Sequence, residues 1–279
     1  MTAVRRFAVV GNPIKHSRSP LIHAAFGRQC EISLEYRALR VELGDFPRAA
    51  RAFFDAGGSG LNVTVPFKEE AFALAGQCSA RAGRAGAVNT LSPGADGALH
   101  GDTTDGIGLV RDMLDNLGWE LRGRSVLILG AGGAVRGLLE PLLAAGPASV
   151  HIVNRTVERA QTLAAEFAAL GTLGAGPYDG LGGREFDLVI NASSAGLSGE
   201  QPALPASAIH QRSCCYDLLY GARPTPFMRW AAHHAAWAVS DGLGMLVEQA
   251  AEAFAVWHGR RPDTAPVIRE LRGVLSTAA

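Results

Sequence analysis

The sequence lacks the features that mark several large classes of protein. Its 26 Lys+Arg balance 26 Asp+Glu, and this zero formal net charge leaves no basic field to gather nucleic acid or anionic lipid. No apolar run approaches the roughly 18 residues of a membrane span, and the N-terminus has no secretory signal pattern. The four cysteines show no C-x-x-C spacing, which suits neither a disulfide framework nor a zinc site. These absences predict a soluble cytoplasmic protein with no metal site and no nucleic-acid or membrane partner.

Lysine is also scarce. Only Lys15 and Lys68 are lysines, and every other basic residue is arginine. A GC-rich genome explains such a bias. A lysine retained under that bias is a candidate for a role that arginine cannot fill, because lysine can give up its proton and arginine does not.

Length and pattern predict an α/β fold of two domains. At about 150 residues per domain, 279 residues suffice for two, and 48% hydrophobic content can fill a core in each. Short apolar runs alternate with helical patterns, which favours largely parallel sheets. A polar, glycine-bounded stretch at 100–106 separates two groups of strands. The predicted strands are 7–11, 34–41, 60–65 and 86–91 in the first group and 125–129, 149–154, 186–191 and 213–219 in the second.

A glycine-rich turn follows the predicted strand at 125–129. Residues 130–134 read Gly-Ala-Gly-Gly-Ala, and a helical pattern comes next. Glycines there let the backbone approach a pyrophosphate, and a helix N-terminus stabilises its charge. The strict G-x-G-x-x-G/A template fails because Val135 occupies its last position. The turn alone therefore indicates either a dinucleotide site or an ordinary tight turn between strand and helix.

The end of the next strand distinguishes between the two nicotinamide cofactors. An NAD-binding unit would place an acidic residue there, about 20 residues after the glycines, to bind the ribose 2′-hydroxyl. This strand instead ends in Asn154, Arg155 and Thr156. Arg155 is either a solvated neighbour of a helix cap or, with Arg159, a ligand for a 2′-phosphate. We predict NADP(H) rather than NAD(H).

Lys68 lies at the end of a patterned segment in the first half. Alternation places Asn62 and Thr64 on one face of a strand, and Pro66 then predicts the first residue of a helix. Lys68 would stand in the first turn of that helix, where the macrodipole disfavours a cation. It is either a functional lysine or a surface lysine paired with the two glutamates that follow it.

Several other polar residues flank predicted elements. Ser19 precedes a proline and predicts a helix N-cap, and with Ser17 it places two hydroxyls where a carboxylate could bind. Taken singly, Asn89 fits a turn and Asp105 fits a helix N-cap. Gln249 lies on the apolar stripe of a C-terminal helix, where its amide bonds either neighbouring backbone or a polar ligand.

Seven segments, in this order along the chain, together resemble the shikimate dehydrogenases. They are 11–20 (GNPIKHSRSP), 62–68 (NVTVPFK), 86–90 (GAVNT), 101–105 (GDTTD), 130–134 (GAGGA), 154–156 (NRT) and 241–245 (DGLGM). Any one could arise by chance, but all seven in order are highly specific. The resemblance implies an enzyme that reduces 3-dehydroshikimate to shikimate with NADPH, on the route to aromatic amino acids.

The resemblance also implies a role for particular residues. Lys68 would be the catalytic proton donor and acceptor, with Asp105 near enough to orient it. The residues implied to bind substrate are Ser17, Ser19, Thr64, Lys68, Asn89, Asp105, Tyr220 and Gln249. Those implied to bind NADP(H) are Gly130, Ala131, Gly132, Gly133, Ala134, Asn154, Arg155, Thr156, Arg159, Leu218 and Gly242. No metal is implied.

The implied organisation is an N-terminal α/β substrate domain at 1–105, completed by 243–279, and a Rossmann-like doubly wound NADP domain at 106–242. Relatives often carry an acidic residue where Ala80 stands and a methionine or another side chain where Leu218 stands. The resemblance therefore does not define the contacts on the nicotinamide side. The nearest alternative is a quinate/shikimate dehydrogenase of broader specificity. A second alternative is a non-catalytic NADP-binding regulator, which the presence of Lys68 and Asp105 disfavours. Monomer and homodimer both remain open.

Overall fold

The computed structural model describes residues 4–193, 200 and 203–277. The chain divides into two compact units, of which the first comprises Met1–Gly108 and Val247–Val267 and the second Leu109–Leu246 and Ile268–Ala279. The residues after Val267 thus group with the second unit, whereas the resemblance assigned all of 243–279 to the first domain. Among the described residues, no helix combines the length and apolar character needed to cross a bilayer.

The first unit is built on a six-stranded mixed sheet of order β2-β1-β3-β5-β6-β4. Strands β2, β1 and β3 run parallel, and β5 is antiparallel to both of its neighbours. The strands are β1 Arg5–Gly11, β2 Leu34–Arg40, β3 Gly58–Val63, β4 Gln77–Cys78, β5 Thr90–Pro93 and β6 Leu99–Asp102. The helices within the unit are α1 Ser19–Cys30, α2 Phe46–Asp55, α3 Lys68–Leu74 and α4 Ala80–Ala85. Three further helices, α5 Asp105–Arg111, α9 Leu243–His258 and α10 Ala265–Thr277, have residues in both units.

Helix α9 completes the core of the first unit. Its Trp257 ring lies 4.8 Å from the ring of Phe7 on β1, and its indole donates to the Leu91 carbonyl of β5 at 3.2 Å. A side chain at Gly60 on β3 would collide with the Trp257 ring, so the absence of a Cβ there lets the helix pack on the strand. The apolar stripe predicted near the C-terminus is therefore a packing face.

A buried histidine in this core makes stability depend on pH. His23 on α1 stacks on Tyr36 with ring centroids 4.2 Å apart, and burial lowers its pKa to about 3. Between this value and the ordinary 6.5, the unfolded chain binds a proton that the folded chain does not. His23 therefore makes the free energy of unfolding fall by about 2 kcal/mol between pH 6.5 and pH 5.

We expect chemical denaturation at these two pH values to show a decrease to which His258 also contributes, because burial and Arg5 lower the pKa of His258 to about 4. His23→Phe should reduce the decrease by about 2 kcal/mol and leave the part that comes from His258. The phenylalanine keeps the aromatic stack but does not titrate. The same substitution at His16, which is exposed, is the control and should keep the wild-type pH dependence. An unchanged pH dependence in His23→Phe would contradict the prediction.

The second unit contains a six-stranded, wholly parallel sheet. Its order is β9-β8-β7-β10-β11-β12, which is the 3-2-1-4-5-6 order of a doubly wound dinucleotide-binding fold. The strands are β7 Ser125–Leu129, β8 Ser149–Val153, β9 Leu173–Gly176, β10 Phe186–Asn191, β11 Ile209–Asp217 and β12 Ala238–Ser240. The helices are α6 Gly133–Ala144, α7 Val157–Phe167 and α8 Pro226–His233, and a π-helical turn at Asp112–Asn116 follows α5. Both units confirm the predicted α/β class.

Two strand predictions match the structure to the residue, those at 125–129 and 186–191. The strand predicted at 86–91 is wrong at its start. Helix α4 ends just before Gly86, whose φ of 59° provides a left-handed cap, and β5 begins only at Thr90. The short strands β4, β6, β9 and β12 were not predicted.

Candidate active site

Segments with predicted site residues leave the carboxyl ends of β1 and β3, which are neighbours in the sheet. The two segments meet where the Asn12 amide donates to the Val65 carbonyl at 3.1 Å. A Cβ at Gly11 would lie 2.6 Å from Cγ2 of Thr64, so glycine is needed for this close approach. The crevice at the carboxyl ends of such strands is where open α/β sheets bind ligands.

Ser17 and Ser19 stand at the start of α1. Ser19 is already the first residue of the helix, so its predicted role as N-cap is wrong. Its backbone amide instead donates to Oγ of Ser17 at 3.3 Å, because the chain turns back through Ser17 before the helix begins. The two hydroxyls are thus placed at one helix N-terminus, as predicted.

Lys68 is the first residue of α3, which confirms its predicted place in a first helical turn. The prediction that Pro66 begins the helix is wrong. The Phe67 amide donates to the Thr64 carbonyl at 3.0 Å, and this turn holds Pro66 outside the helix. Phe67 itself is buried against Phe46 of α2, which anchors the start of α3 in the core.

Lys68 forms an ion pair with Asp105, the first residue of α5. Nζ lies 2.5 Å from Oδ2, and the two side chains are 22% and 15% exposed. The other carboxylate oxygen, Oδ1, accepts from Nδ2 of the buried Asn89 at 2.8 Å. Lys68 is therefore not a surface lysine paired with its neighbouring glutamates. An ammonium held in this way, at the edge of the unit, can exchange a proton with a ligand.

The Gln249 amide on α9 joins this group. Its Oε1 lies 3.5 Å from Nδ2 of Asn89 and 3.5 Å from Oγ1 of Thr104. Both of these partners are side chains. Gly108 of α5 packs so close to Gln249 that a Cβ there would lie 2.7 Å from its backbone nitrogen. Direct hydrogen bonds thus link Lys68, Asp105 and Asn89, and Gln249 lies against Asn89 and Thr104 at the end of this group.

Of the remaining predicted substrate residues, three lie in the first unit and one lies in the second. Thr64 is partly buried, immediately after β3, and the two serines lie at the start of α1. Tyr220 is partly buried and belongs to the second unit, in the segment that follows β11.

In the second unit, the glycine-rich turn follows β7, beside the point where the strand order reverses. Gly130 has a φ of 110°, and its amide donates to the Val153 carbonyl at 2.7 Å. Gly132 is the N-cap of α6, and residues 132–134 are exposed. Val135, which broke the sequence template, is wholly buried in the core of this unit. Its side chain thus packs the helix on the sheet while residues 132–134, just before it, stay exposed.

The segment after β8 carries the two predicted arginines. Asn154 donates from Nδ2 to the Thr156 carbonyl at 2.9 Å, and Thr156 is the N-cap residue of α7. Arg155 and Arg159 are both exposed. Residues 154–159 therefore present two guanidinium groups next to the turn at 130–134, since β7 and β8 are adjacent.

Leu218 and Gly242 meet beyond the ends of β11 and β12. A Cβ at Gly242 would collide with the Leu218 carbonyl oxygen, and the Gly242 amide donates to the Leu219 carbonyl at 3.0 Å. Leu218 is in turn held by its amide, which donates to the Asn191 carbonyl at 2.9 Å. Only glycine fits position 242.

Arg272 on α10 holds the residue that precedes Gly242. Its Nη1 and Nη2 donate to both oxygens of the buried Asp241 at 2.7 and 2.6 Å. We expect Arg272→Gln to lower the free energy of unfolding by about 2 kcal/mol, because a buried carboxylate loses its cation while water can still reach the half-exposed site. Arg269→Gln on the same helix, at an exposed position, is the control for thermal or urea denaturation. Equal losses in both variants would contradict this role for Arg272.

Some buried polar groups near these segments were not found from the sequence. Asp112 accepts from the Tyr216 hydroxyl at 2.6 Å, and burial raises the pKa of Tyr216 well above its ordinary value. Asp217 is also buried, with a raised pKa, and accepts from Thr225 at 2.5 Å and from Asn191 at 3.1 Å. Their partners are distant in sequence, so no local pattern indicated them. Across the described ranges, no group of three or more His, Cys, Asp or Glu side chains is arranged to hold a metal.

Comparison with known proteins identifies the family. Three family models match in order: the shikimate dehydrogenase substrate-binding domain at 9–91, shikimate/quinate 5-dehydrogenase at 112–199, and the shikimate 5′-dehydrogenase C-terminal domain at 242–272. A shikimate dehydrogenase (NADP(+)) of Methylococcus capsulatus is 54% identical over 278 residues and 100% of each chain.

Solved structures of similar fold support the same family assignment. An Ael1 enzyme from Pseudomonas putida is 46% identical, with a TM-score of 0.89 over 96% of this chain and 98% of that one. Shikimate 5-dehydrogenase from Thermus thermophilus, in complex with NADP(H) and shikimate, is 34% identical, with a TM-score of 0.86 over 98% of this chain and 100% of that one. With family models matched along its length and a relative sharing more than half of its residues from end to end, this chain belongs to the shikimate dehydrogenase family.

Proposed function

We propose that this protein is an NADP-dependent shikimate dehydrogenase, which reversibly reduces 3-dehydroshikimate to shikimate in the biosynthesis of aromatic amino acids. The observation that carries the proposal is the partly exposed pair of Lys68 and Asp105, at 2.5 Å, with Asn89 bonded to Asp105 and Gln249 beside Asn89. The names of the relatives give the substrate and cofactor. The cytoplasm is the proposed location, and the protein acts as a monomer or homodimer.

The first unit supplies the substrate site in this proposal. Ser17 and Ser19 bind the carboxylate at the start of α1, where backbone amides and the helix dipole favour an anion. The residues that bind the ring hydroxyls and the ketone in this proposal are Thr64, Asn89, Asp105, Tyr220 and Gln249.

The second unit supplies the cofactor site. The backbone amides of the exposed residues 132–134 suit a pyrophosphate, and the open space around Gly132 leaves room for it. Asn154, Thr156 and the guanidiniums of Arg155 and Arg159 bind the 2′-phosphoribose. Leu218 and Gly242 lie at the nicotinamide. No acidic side chain occupies 154–156, which supports NADP(H) over NAD(H).

The proposed mechanism divides the reduction between cofactor and protein. Bound NADPH supplies the hydride that adds to the carbonyl carbon. Lys68 delivers a proton from Nζ to the oxygen as negative charge develops there, and it takes a proton from the hydroxyl in the reverse direction. Asp105 keeps Nζ in place, and the amide of Asn89 keeps the Asp105 carboxylate in place.

A broader quinate/shikimate dehydrogenase is the alternative, because one matched family model covers both activities. A non-catalytic regulator would have no use for the Lys68–Asp105 pair. Initial rates with the purified protein distinguish these possibilities when shikimate and quinate are each offered with NADP and with NAD. We expect strong activity with shikimate and NADP alone. Comparable rates with quinate or NAD would favour the broader enzyme, and no activity in all four assays would refute the proposal.

A further inference from the structure

Asn89 makes every hydrogen bond that its side chain can make. Its Oδ1 accepts from the Thr104 amide at 3.0 Å and from the Thr90 hydroxyl at 2.9 Å. Its Nδ2 donates to Oδ1 of Asp105 at 2.8 Å and to Oγ1 of Thr104 at 2.9 Å. A backbone amide can only donate, so the Thr104 amide requires that Oδ1 of Asn89 face it. The Nδ2 group must then face Asp105.

The orientation of the next amide outward, that of Asn62, is fixed in the same way. Asn62 on β3 is buried, and its Nδ2 lies 3.1 Å from the Asn89 backbone carbonyl. A carbonyl can only accept, so Nδ2 of Asn62 faces it. The second hydrogen of that Nδ2 is donated to Oγ1 of Thr90 at 3.1 Å. Thr90 therefore accepts from Asn62 and donates its own proton to Asn89.

Tyr36 on β2 is the next residue of the series, and its hydroxyl also interacts with the Ser19 side chain. Its hydroxyl lies 2.7 Å from Oδ1 of Asn62, the atom that must accept because Nδ2 is committed elsewhere. Burial raises the pKa of Tyr36 well above its ordinary value, so the hydroxyl keeps its proton and donates. Every bond from Tyr36 through Asn62, Thr90 and Asn89 thus points in one direction and ends on the Asp105 carboxylate.

We propose that Thr90, Asn62 and Tyr36 are positioning residues, which hold the Asn89 amide toward Asp105 and so fix the Asp105 carboxylate against the Lys68 ammonium. Thr90 and Asn62 are at most 8% exposed. Aligned bonds in a buried setting reinforce one another, and the loss of one link leaves polar groups without partners. The geometric inference stands on the first unit alone, and its effect on turnover rests on the proposed function.

The sparse lysines provide a test that needs no activity. Protein labelled with ¹⁵N-lysine carries only two side-chain ammonium groups, those of Lys15 and Lys68. Thr90→Val, which keeps the shape of the side chain but removes its hydroxyl, should shift or broaden the Lys68 signal and leave that of Lys15 unchanged. Thr90→Ser keeps the hydroxyl and should restore the Lys68 signal. An unchanged Lys68 signal in folded Thr90→Val protein would overturn the proposal.

Turnover gives the second readout. We expect Thr90→Val to lower kcat about 10-fold, since small misplacements at a reacting centre have effects of this order or larger, and Thr90→Ser to recover most of it. Thr264→Val is the control, because it removes another buried hydroxyl of the first unit, bonded to Glu248 at 2.5 Å. It should reduce stability without lowering kcat. An equal loss of kcat in Thr264→Val would attribute the effect to destabilisation and overturn the proposal.

A double mutant tests the order of the residues in this series of hydrogen bonds. Tyr36→Phe should lower kcat about threefold alone but add nothing to Thr90→Val, because Tyr36 acts on Asn89 through Thr90. If the losses of kcat in the two single variants added in the double variant, Tyr36 would not act through Thr90. An inactive wild type with a normal Lys68 response to Thr90→Val would refute the proposed function and leave the geometric inference standing.

Discussion

Replacement of Lys68 by alanine is expected to lower kcat about 1,000-fold, while KM for shikimate changes less than about fivefold. In the proposed mechanism Lys68 carries the proton that the alkoxide needs, whereas Ser17 and Ser19, which hold the carboxylate in the proposed site, remain. Steady-state kinetics with saturating NADP measure both constants.

Two further variants make this prediction specific. Lys68→Arg keeps a cation beside Asp105 but does not release a proton readily, so it should be almost as inactive as Lys68→Ala. Lys15→Ala changes the other lysine, which is exposed, and should turn over like the wild type. Near-normal kcat in Lys68→Ala would remove the residue from the chemistry, and recovery in Lys68→Arg would show that its charge alone matters.

Replacement of Arg155 by glutamine is expected to raise KM for NADP about 10- to 100-fold and to change KM for NAD less than about twofold. In the proposed cofactor site the variant loses the guanidinium contact to the 2′-phosphate of NADP, whereas NAD carries no such group. Arg159→Gln should act in the same direction, and the double variant should approach equal use of the two cofactors.

The matched control for these variants is Arg212→Gln. Arg212 is also exposed and lies in the same unit, on β11 away from the strand ends that carry the proposed cofactor residues. It should leave both KM values unchanged. Equal increases for NADP and NAD in Arg155→Gln would mean that the residue supports the segment 154–159 rather than reading the 2′-phosphate.

The strand order of each unit explains why the proposed residues occur where they do. In the first sheet, β1 is flanked by β2 on one side and β3 on the other, and the segments with Ser17 and Lys68 leave the ends of β1 and β3. In the second sheet the order reverses between β7 and β10, and the turn at 130–134 leaves β7. Helices that start at such points direct backbone amides toward an anion.

The sequence predicted best what depends on local pattern. Strands β7 and β10 were predicted to the residue because they are short, buried apolar runs between turn residues. Edge strand β12 has three residues, and β9 contains two glycines, so neither carries a pattern that distinguishes it from a loop. Pro66 and Ser19 were misplaced by one or two residues because turns closed by backbone hydrogen bonds precede both helices.

The sequence predicted which residues form the candidate site but not the hydrogen bonds that join them. The resemblance brought together Lys68, Asp105, Asn89 and Gln249, which are up to 181 positions apart in the sequence. The hydrogen bonds of Thr90, Asn62 and Tyr36 depend on which way two amide groups face. Those orientations are decided by the Thr104 amide and the Asn89 carbonyl, which only the folded backbone places. The hydrogen bond between Tyr216 and Asp112 was not predicted for the same reason.

The proposed reaction can be followed by mixing the purified protein with 3-dehydroshikimate and NADPH, recording the loss of NADPH absorbance, and identifying the product by NMR. We expect one NADPH to be consumed for each molecule of shikimate formed, and Lys68→Ala to remove nearly all of this activity. NADPH that is bound but not consumed, or consumption without formation of shikimate, would contradict the proposed reaction.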